Sequence, residues 1–155
     1  MIEKQKKTYL TFKLYKELFA INVLNVLEVL QEYNVVELPD APKYITGMIN
    51  FRNDIIPLIN FREKFMFPEN KPDKNKIIVI SITIDDNSIK FGAIVDRVND
   101  VFEIDKDEIK DTPEFGSKYN PEYLNGMIFK NNKHFMLLNL EKVFTNEEIE
   151  LVSKL

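Results

Sequence analysis

His134 is the sole histidine of this 155-residue chain, and no cysteine accompanies it. Proton transfer near neutral pH is what an imidazole offers, and a nucleophile would have to stand beside it. His134 instead borders the apolar run Phe135-Met136-Leu137-Leu138, so a strand-end or partly packed ring is expected. No triad or thiol nucleophile can be assembled around it. The acidic group Asp105-Lys106-Asp107-Glu108-Ile109-Lys110-Asp111 has oxygen ligands in plenty. It lacks the central glycine and terminal bidentate glutamate of a calcium loop, and so predicts a solvated, charge-mixed turn or helix start. The four glycines form no phosphate cradle. No catalytic residue, metal or cofactor is expected, and the chemistry left is recognition.

Composition agrees. Hydrophobic residues make up 45% and charged residues 30% of the chain, ordinary values for a folded protein. A net charge of −4 argues against a broad phosphate-binding face and hence against nucleic acid. The absence of cysteine fits a reducing compartment. Lys4, Lys6 and Lys7 precede no apolar stretch of signal-peptide length, and the longest apolar run, from Ile77 to Ile82, contains Ser81. That run falls far short of the roughly 18 residues of a membrane helix. The expectation is a cytoplasmic protein without direct membrane insertion.

The elements that must position any recognition residues are built twice. Residues 44–65 (YITGMINFRNDIIPLINFREKF) recur without a gap as residues 123–144 (YLNGMIFKNNKHFMLLNLEKVF), an offset of 123 − 44 = 79. Tyr44, Gly47, Met48, Ile49, Asn53, Leu58, Asn60 and Phe65 are identical in the second copy. A residue type kept in both copies answers to shared local structure, whereas one that differs is free for function. Gly47 and Gly126 precede strands, where a missing Cβ permits positive φ or close backbone approach. Asn53 and Asn132 suit tight hairpin tips. Arg52 matches neutral Asn131, so the turn does not demand a guanidinium; recognition and plain solvation both remain open for it. If Arg52 approaches Glu28, a bidentate pair could hold a groove wall. Val23, Val26, Val29, Val98 and Val101 offer small branched faces, most of which core packing also explains.

Short strands dominate the remaining pattern. Tyr9 to Leu14 and Phe19-Ala20-Ile21 flank a polar break, and Ile77 to Ile84 and Phe91 to Val95 flank Asp85-Asp86-Asn87-Ser88. With an offset of 91 − 19 = 72, Val26-Leu27-Glu28-Val29 falls on Val98-Asn99-Asp100-Val101. Residues 68–76, polar and rich in turn formers, mark a connector between halves. Short helices are expected at Pro42 to Ile45 and Pro121 to Leu124, and a terminal one after Thr145, whose spacing to Glu148 is that of a capping box. Pro57 predicts an edge strand or a bulge.

In their order, Tyr9-Leu10-Thr11-Phe12, Phe19-Ala20-Ile21, Val26-Leu27-Glu28-Val29, the block Gly47 to Arg62, Gly92 to Val98, Thr112-Pro113-Glu114-Phe115 and Glu122 to Gly126 resemble the chemotaxis coupling protein CheW family over residues 8 to 150. Two departures are Phe51 for leucine and Asn53 for glycine in the family's Asn-Leu-Arg-Gly turn. The resemblance implies an all-β fold of two five-stranded SH3-like β-barrel subdomains packed on a shared hydrophobic interface, with short connecting helices and a C-terminal helix. One domain over 1–155 is expected, with a first barrel at about 8–67, the connector 68–76, a second barrel at about 77–144, and the helix at 145–155.

It further implies a non-catalytic adaptor between the cytoplasmic tip of methyl-accepting chemotaxis receptors and the regulatory domain of the histidine kinase CheA, recruited to membrane-associated receptor arrays. The receptor-facing residues carried over by position are Val26, Glu28, Arg52, Val98 and Val101. The kinase-facing ones are Val23, Lys110 and Phe115. A paralogue serving a different receptor or kinase set is the alternative within the family. A small-ligand-binding or catalytic β-barrel is the alternative outside it, and a deep pocket around His134 and Asp96 would favour that reading.

Overall fold

The computed structural model describes residues 6–31, 33–68, 75–112 and 121–155. Among them the strands are β1 (Lys6–Leu14), β2 (Glu17–Asn22), β3 (Val26–Leu30), β4 (Ile45–Phe51), β5 (Asp54–Asn60), β6 (Lys76–Ile84), β7 (Asn87–Val95), β8 (Arg97–Asp105), β9 (Leu124–Lys130) and β10 (Lys133–Leu138). Helix α1 (Phe61–Lys64) and helix α2 (Asn146–Ser153) complete the set with 3-10 turns at Val23–Asn25, Lys106–Glu108 and Pro121–Tyr123. The fold is thus mostly β, as expected.

Three hairpin tips place two consecutive residues in the left-handed region: Arg52 and Asn53 (φ 48° and 69°), Asp85 and Asp86 (49° and 65°), and Asn131 and Asn132 (51° and 62°). Such turns match the right-handed twist of the strands they join, and Asn and Asp tolerate them best. Arg52 is the exception in type. Its backbone is held where an arginine is disfavoured, while the second copy supplies asparagine.

The strands form two five-stranded sheets, ordered β8-β1-β2-β10-β9 and β3-β6-β7-β5-β4. We call them the β1 barrel and the β6 barrel. Each contains strands from both sequence copies, so the expected boundaries, 8–67 for one barrel and 77–144 for the other, are corrected. The β1–β2 hairpin of the first copy joins β8, β9 and β10 of the second, and the β6–β7 hairpin makes the reciprocal exchange. The cause lies in the parallel pairs. β10 takes β2 as neighbour, with Leu137 opposite Ala20, and β5 takes β7, with Leu58 opposite Gly92. These partners keep the offsets of 79 and 72 read from the sequence.

Each barrel closes where the chain beyond its edge strand returns. Val36 forms an isolated bridge with Met48, and Lys110 forms one with Met127. A Cβ on Gly47 would lie 2.4 Å from the Val36 carbonyl oxygen, and one on Gly126 would lie 2.7 Å from that of Lys110. The duplicated glycine is therefore a requirement of closure, and close approach is the operative reason in both copies. Gly126 also has φ 144°, a conformation that L side chains rarely adopt.

Three apolar clusters explain why the central strands are greasy on both faces. Ile49, Phe51, Ile56, Leu58, Ile77, Val79 and Ile94 fill the β6 barrel, and Tyr9, Ala20, Ile104, Ile128, Phe135 and Leu137 fill the β1 barrel. The largest cluster lies between them. It takes Leu10, Phe12 and Leu14 from β1 and Ile78, Ile80 and Ile82 from β6, the residues alternate to those pointing into each barrel. Phe61 of α1 bridges the sheets, its ring 6.3 Å from Phe12 and 6.2 Å from Phe91. The shared hydrophobic interface is thus a core in its own right.

Smaller expectations divide. β5 is an interior strand with no shift of register at Pro57, contrary to the edge or bulge predicted. Pairing with β7 begins only at Leu58, so the half of β5 that holds Pro57 has β4 as its sole ladder partner. That tolerates the missing N–H. Pro42 to Ile45 is a single turn closed by the Ile45 N–H donating to the Pro42 carbonyl, not a helix. Its second-copy counterpart is the 3-10 turn at Pro121–Tyr123. The capping box forms as read: the Thr145 N–H donates to Glu148 Oε1 at 2.8 Å, and the Glu148 N–H to Thr145 Oγ1 at 3.1 Å. Most of the connector 68–76 lies outside the described residues.

Candidate functional site on paired edge strands

β3 and β8 are equivalent in the two barrels, and each is an edge strand paired on one side only, β3 with β6 and β8 with β1. Both ladders are irregular near the repeated motif, with register shifts between Val26 and Glu28 and between Leu10 and Phe12. Thr11, the buried polar residue at the second irregularity, donates its hydroxyl to the Asp100 carbonyl at 2.7 Å. A bulge of this kind twists an edge strand and exposes its side chains. Val101 is 53% exposed and Val29 37%, and the preceding Asp100 and Glu28 are exposed as well.

Of the residues that the resemblance implies would face a receptor, Val26 and Val98 are partly buried against the interbarrel cluster, which also holds Val23. The structure thus brings these three valines to the rim of one apolar body, with Val101 and Glu28 outward on the edges. Arg52 stands apart at the tip between β4 and β5. No ion pair joins Arg52 and Glu28 among the described residues, so the bidentate pair considered from sequence does not form. The Arg52 guanidinium instead lies over its neighbour's ring, 4.7 Å from the Phe51 centroid, and stays solvent-exposed.

Lys110 is exposed, and its backbone closes the β1 barrel. Its ammonium donates to the Asp107 carbonyl at 3.1 Å, capping the 3-10 turn that the acidic group adopts. In that turn the Lys130 ammonium, 2.8 Å away, and the Asp105 N–H hold the Glu108 carboxyl below its usual range. Phe115 lies outside the described residues. His134 is exposed at the start of β10, its ring 4.7 Å from that of Phe129. Asp96 is engaged elsewhere, with Arg62.

Sequence reasoning missed three features. Leu24, in the 3-10 turn leading to β3, is 86% exposed, although its apolar neighbourhood read as core. The side chains of Arg62 and Asp96 form a two-point ion pair at 11% exposure each, and Asp96 Oδ2 also accepts the Tyr15 N–H at 2.7 Å. This ties α1, from the β6 barrel side, to the β1–β2 turn. Lys64, whose second-copy counterpart is Val143, lies 5.5 Å from the Tyr44 ring and 5.4 Å from that of Tyr123, and pairs with Glu148 of α2. The copy comparison held the signal for these pairs, because Arg62 and Lys64 face Glu141 and Val143 in the repeat.

Residues 8–148 match the family model described as CheW-like domain. The chain is 30% identical over 144 residues to the chemotaxis protein CheW of Klebsiella aerogenes, covering 93% of this chain and 85% of that protein. It is 26% identical over 148 residues to the chemotaxis protein CheW of Treponema pallidum, covering 94% and 86% respectively. The crystal structure of the scaffolding protein TtCheW from Thermoanaerobacter tengcongensis superposes with a TM-score of 0.79 at 28% identity, covering 92% of this chain and 95% of that one.

Proposed function

Since the chain belongs to the CheW-like domain family, we propose that it is a non-catalytic adaptor coupling the cytoplasmic tip of methyl-accepting chemoreceptors to the regulatory domain of the kinase CheA. Among the described residues no helix is long and apolar enough to cross a membrane, in keeping with a cytoplasmic adaptor recruited to receptor arrays. The observation that carries the reading is the pair of equivalent edge strands, each exposing an acidic residue followed by valine beside the interbarrel cluster. A receptor helix laying apolar residues along this rim would meet Val26, Val98 and Val101, with Glu28 and Arg52 as polar selectors. Val23, Lys110 and Phe115 form the kinase-facing set.

Signal transfer on this reading needs no reaction in the chain. It needs two patches held at fixed relative orientation, so that binding at one face is coupled to geometry at the other. The Arg62–Asp96 pair and the interbarrel core supply that stiffness. The test is reconstitution from purified protein, a CheA regulatory domain and a receptor tip fragment, read by co-sedimentation. A ternary complex is expected, and Val101→Glu should release the receptor while the kinase domain stays bound. Failure of the unaltered protein to bridge the two would end the proposal.

A further inference from the structure

One end of the β1 barrel opens as a cleft of about 670 Å³ whose rim includes Lys13, Lys16, Arg97 and Lys133, against a single carboxylate, Asp100. Its apolar lining includes Phe102 and Phe135, packed edge to face with ring centroids 5.6 Å apart. None of the four cations forms an ion pair among the described residues, whereas Arg62, Lys64, Lys90, Lys130 and Lys154 each do. Gathering unpaired like charges around one concavity raises the local positive potential, although the chain as a whole carries −4.

The repeat shows that the fold does not require them. Lys133 corresponds to Asp54 through the offset of 133 − 54 = 79, and Arg97 to Asn25 through that of 97 − 25 = 72. Lys16 and Asp86 are the second residues of equivalent turns, between the pairs Leu14–Glu17 and Ile84–Asn87. Lys13 and Thr83 stand one pair further in, opposite Leu18 and Ser88. No cation recurs at any of these positions.

We infer that this mouth of the β1 barrel docks an acidic peptide segment of a partner protein, with Lys16, Arg97 and Lys133 receiving its carboxylates and an apolar residue of the segment entering over Phe102 and Phe135. The concave, partly apolar mouth favours a peptide over a lipid surface, and the chain's net charge of −4 argues against a nucleic-acid backbone. The site lies outside the receptor-facing and kinase-facing sets except for Val98, which lines its edge.

The probe is a fluorescent oligoglutamate peptide with one central phenylalanine, titrated by anisotropy against the full chain. Expected are saturable binding that weakens with added salt and a loss of affinity of at least about tenfold for Arg97→Glu/Lys133→Glu, two exposed sites. Lys142→Glu, an exposed charge reversal elsewhere, should leave affinity unchanged, and urea unfolding of all variants verifies folding. Four results would overturn the inference: absence of peptide binding, binding unaffected by the double reversal, equal or tighter binding of single-stranded oligothymidylate or of anionic vesicles, and salt-dependent self-association abolished by the double reversal. The last would make a second copy the occupant.

Discussion

Lys64 Nζ and Glu148 Oε1 are 3.2 Å apart, and they join a lysine of α1 to the cap of α2 at a place where the Lys64 side chain is only 6% exposed. Tyr44 and Tyr123, the same residue of the two copies, flank the ammonium at nearly equal distances. A buried cation is tolerable when a carboxylate and aromatic faces replace its lost water. The pair pins the C-terminal helix to the boundary between the two copies.

Removing one partner leaves the other charge uncompensated. Glu148→Ala should therefore destabilise the protein by about 3 kcal/mol, with loss of the cap contributing. Lys64→Met/Glu148→Ala should cost clearly less than the sum of the single changes Lys64→Met and Glu148→Ala. Urea unfolding of the four proteins in the cycle reads this directly, and additive losses would show that the pair carries no coupling.

Tyr44 supplies a pH signature. Burial, the charge of Glu148 and a hydrogen bond to it push the Tyr44 hydroxyl up to about 12 from its ordinary value of 10.0. Because the folded state holds this proton more tightly than the unfolded chain, the contribution is complete below pH 10 and is lost as pH rises towards 12. Stability should fall across that window, and Tyr44→Phe should flatten the fall. Denaturant midpoints measured from neutral pH to pH 12 check it.

Gly47→Ala and Gly126→Ala should each destabilise by about 1–3 kcal/mol, since the added methyl meets a backbone carbonyl that closes the barrel. Thermal unfolding of the two variants gives the comparison. Gly126→Ala is expected to be at least as damaging, because its backbone is also at φ 144°. An unchanged midpoint for either would contradict the close approach.

At Arg52, stability and recognition should separate. Arg52→Gly relieves a left-handed backbone at φ 48° and should stabilise by up to about 1 kcal/mol. The same change should weaken receptor binding severalfold in co-sedimentation. A variant that bound receptor normally would remove Arg52 from the proposed receptor-facing set.

Neither sequence copy should fold alone. Residues 1–74 and 75–155 expressed separately are expected to lack fixed tertiary structure, because each leaves a hairpin without its sheet. Mixing them should restore the near-ultraviolet signal of the intact chain. Independent folding of either fragment would be at odds with the exchanged hairpins.

Strands, turn tips, the cap of α2 and the paired motif of β3 and β8 were all legible in the residues. They depend on local rules: β-branched and aromatic runs, Asn and Asp at left-handed positions, a Thr and a Glu three apart. The twin glycines announced a shared constraint, although not its source, since Val36 and Lys110 reach them through chain reversals that no local pattern records. The separation of Arg52 from Glu28 was likewise hidden, because pairing depends on where a hairpin tip points once the barrel has curled.

What the residues by themselves determined is the inventory of elements and the fact that it occurs twice. What only the tertiary structure decided is which copy each hairpin joins. β1–β2 and β6–β7 carry the same pattern, so β10 and β5 would each find equivalent backbone hydrogen bonds with either one, and local propensity is indifferent between them. The choice falls to the whole: the exchanged arrangement turns Leu10, Phe12 and Leu14 of one hairpin against Ile78, Ile80 and Ile82 of the other. Burial of that common apolar layer is a non-local energy, and it has no address in any single segment of the chain.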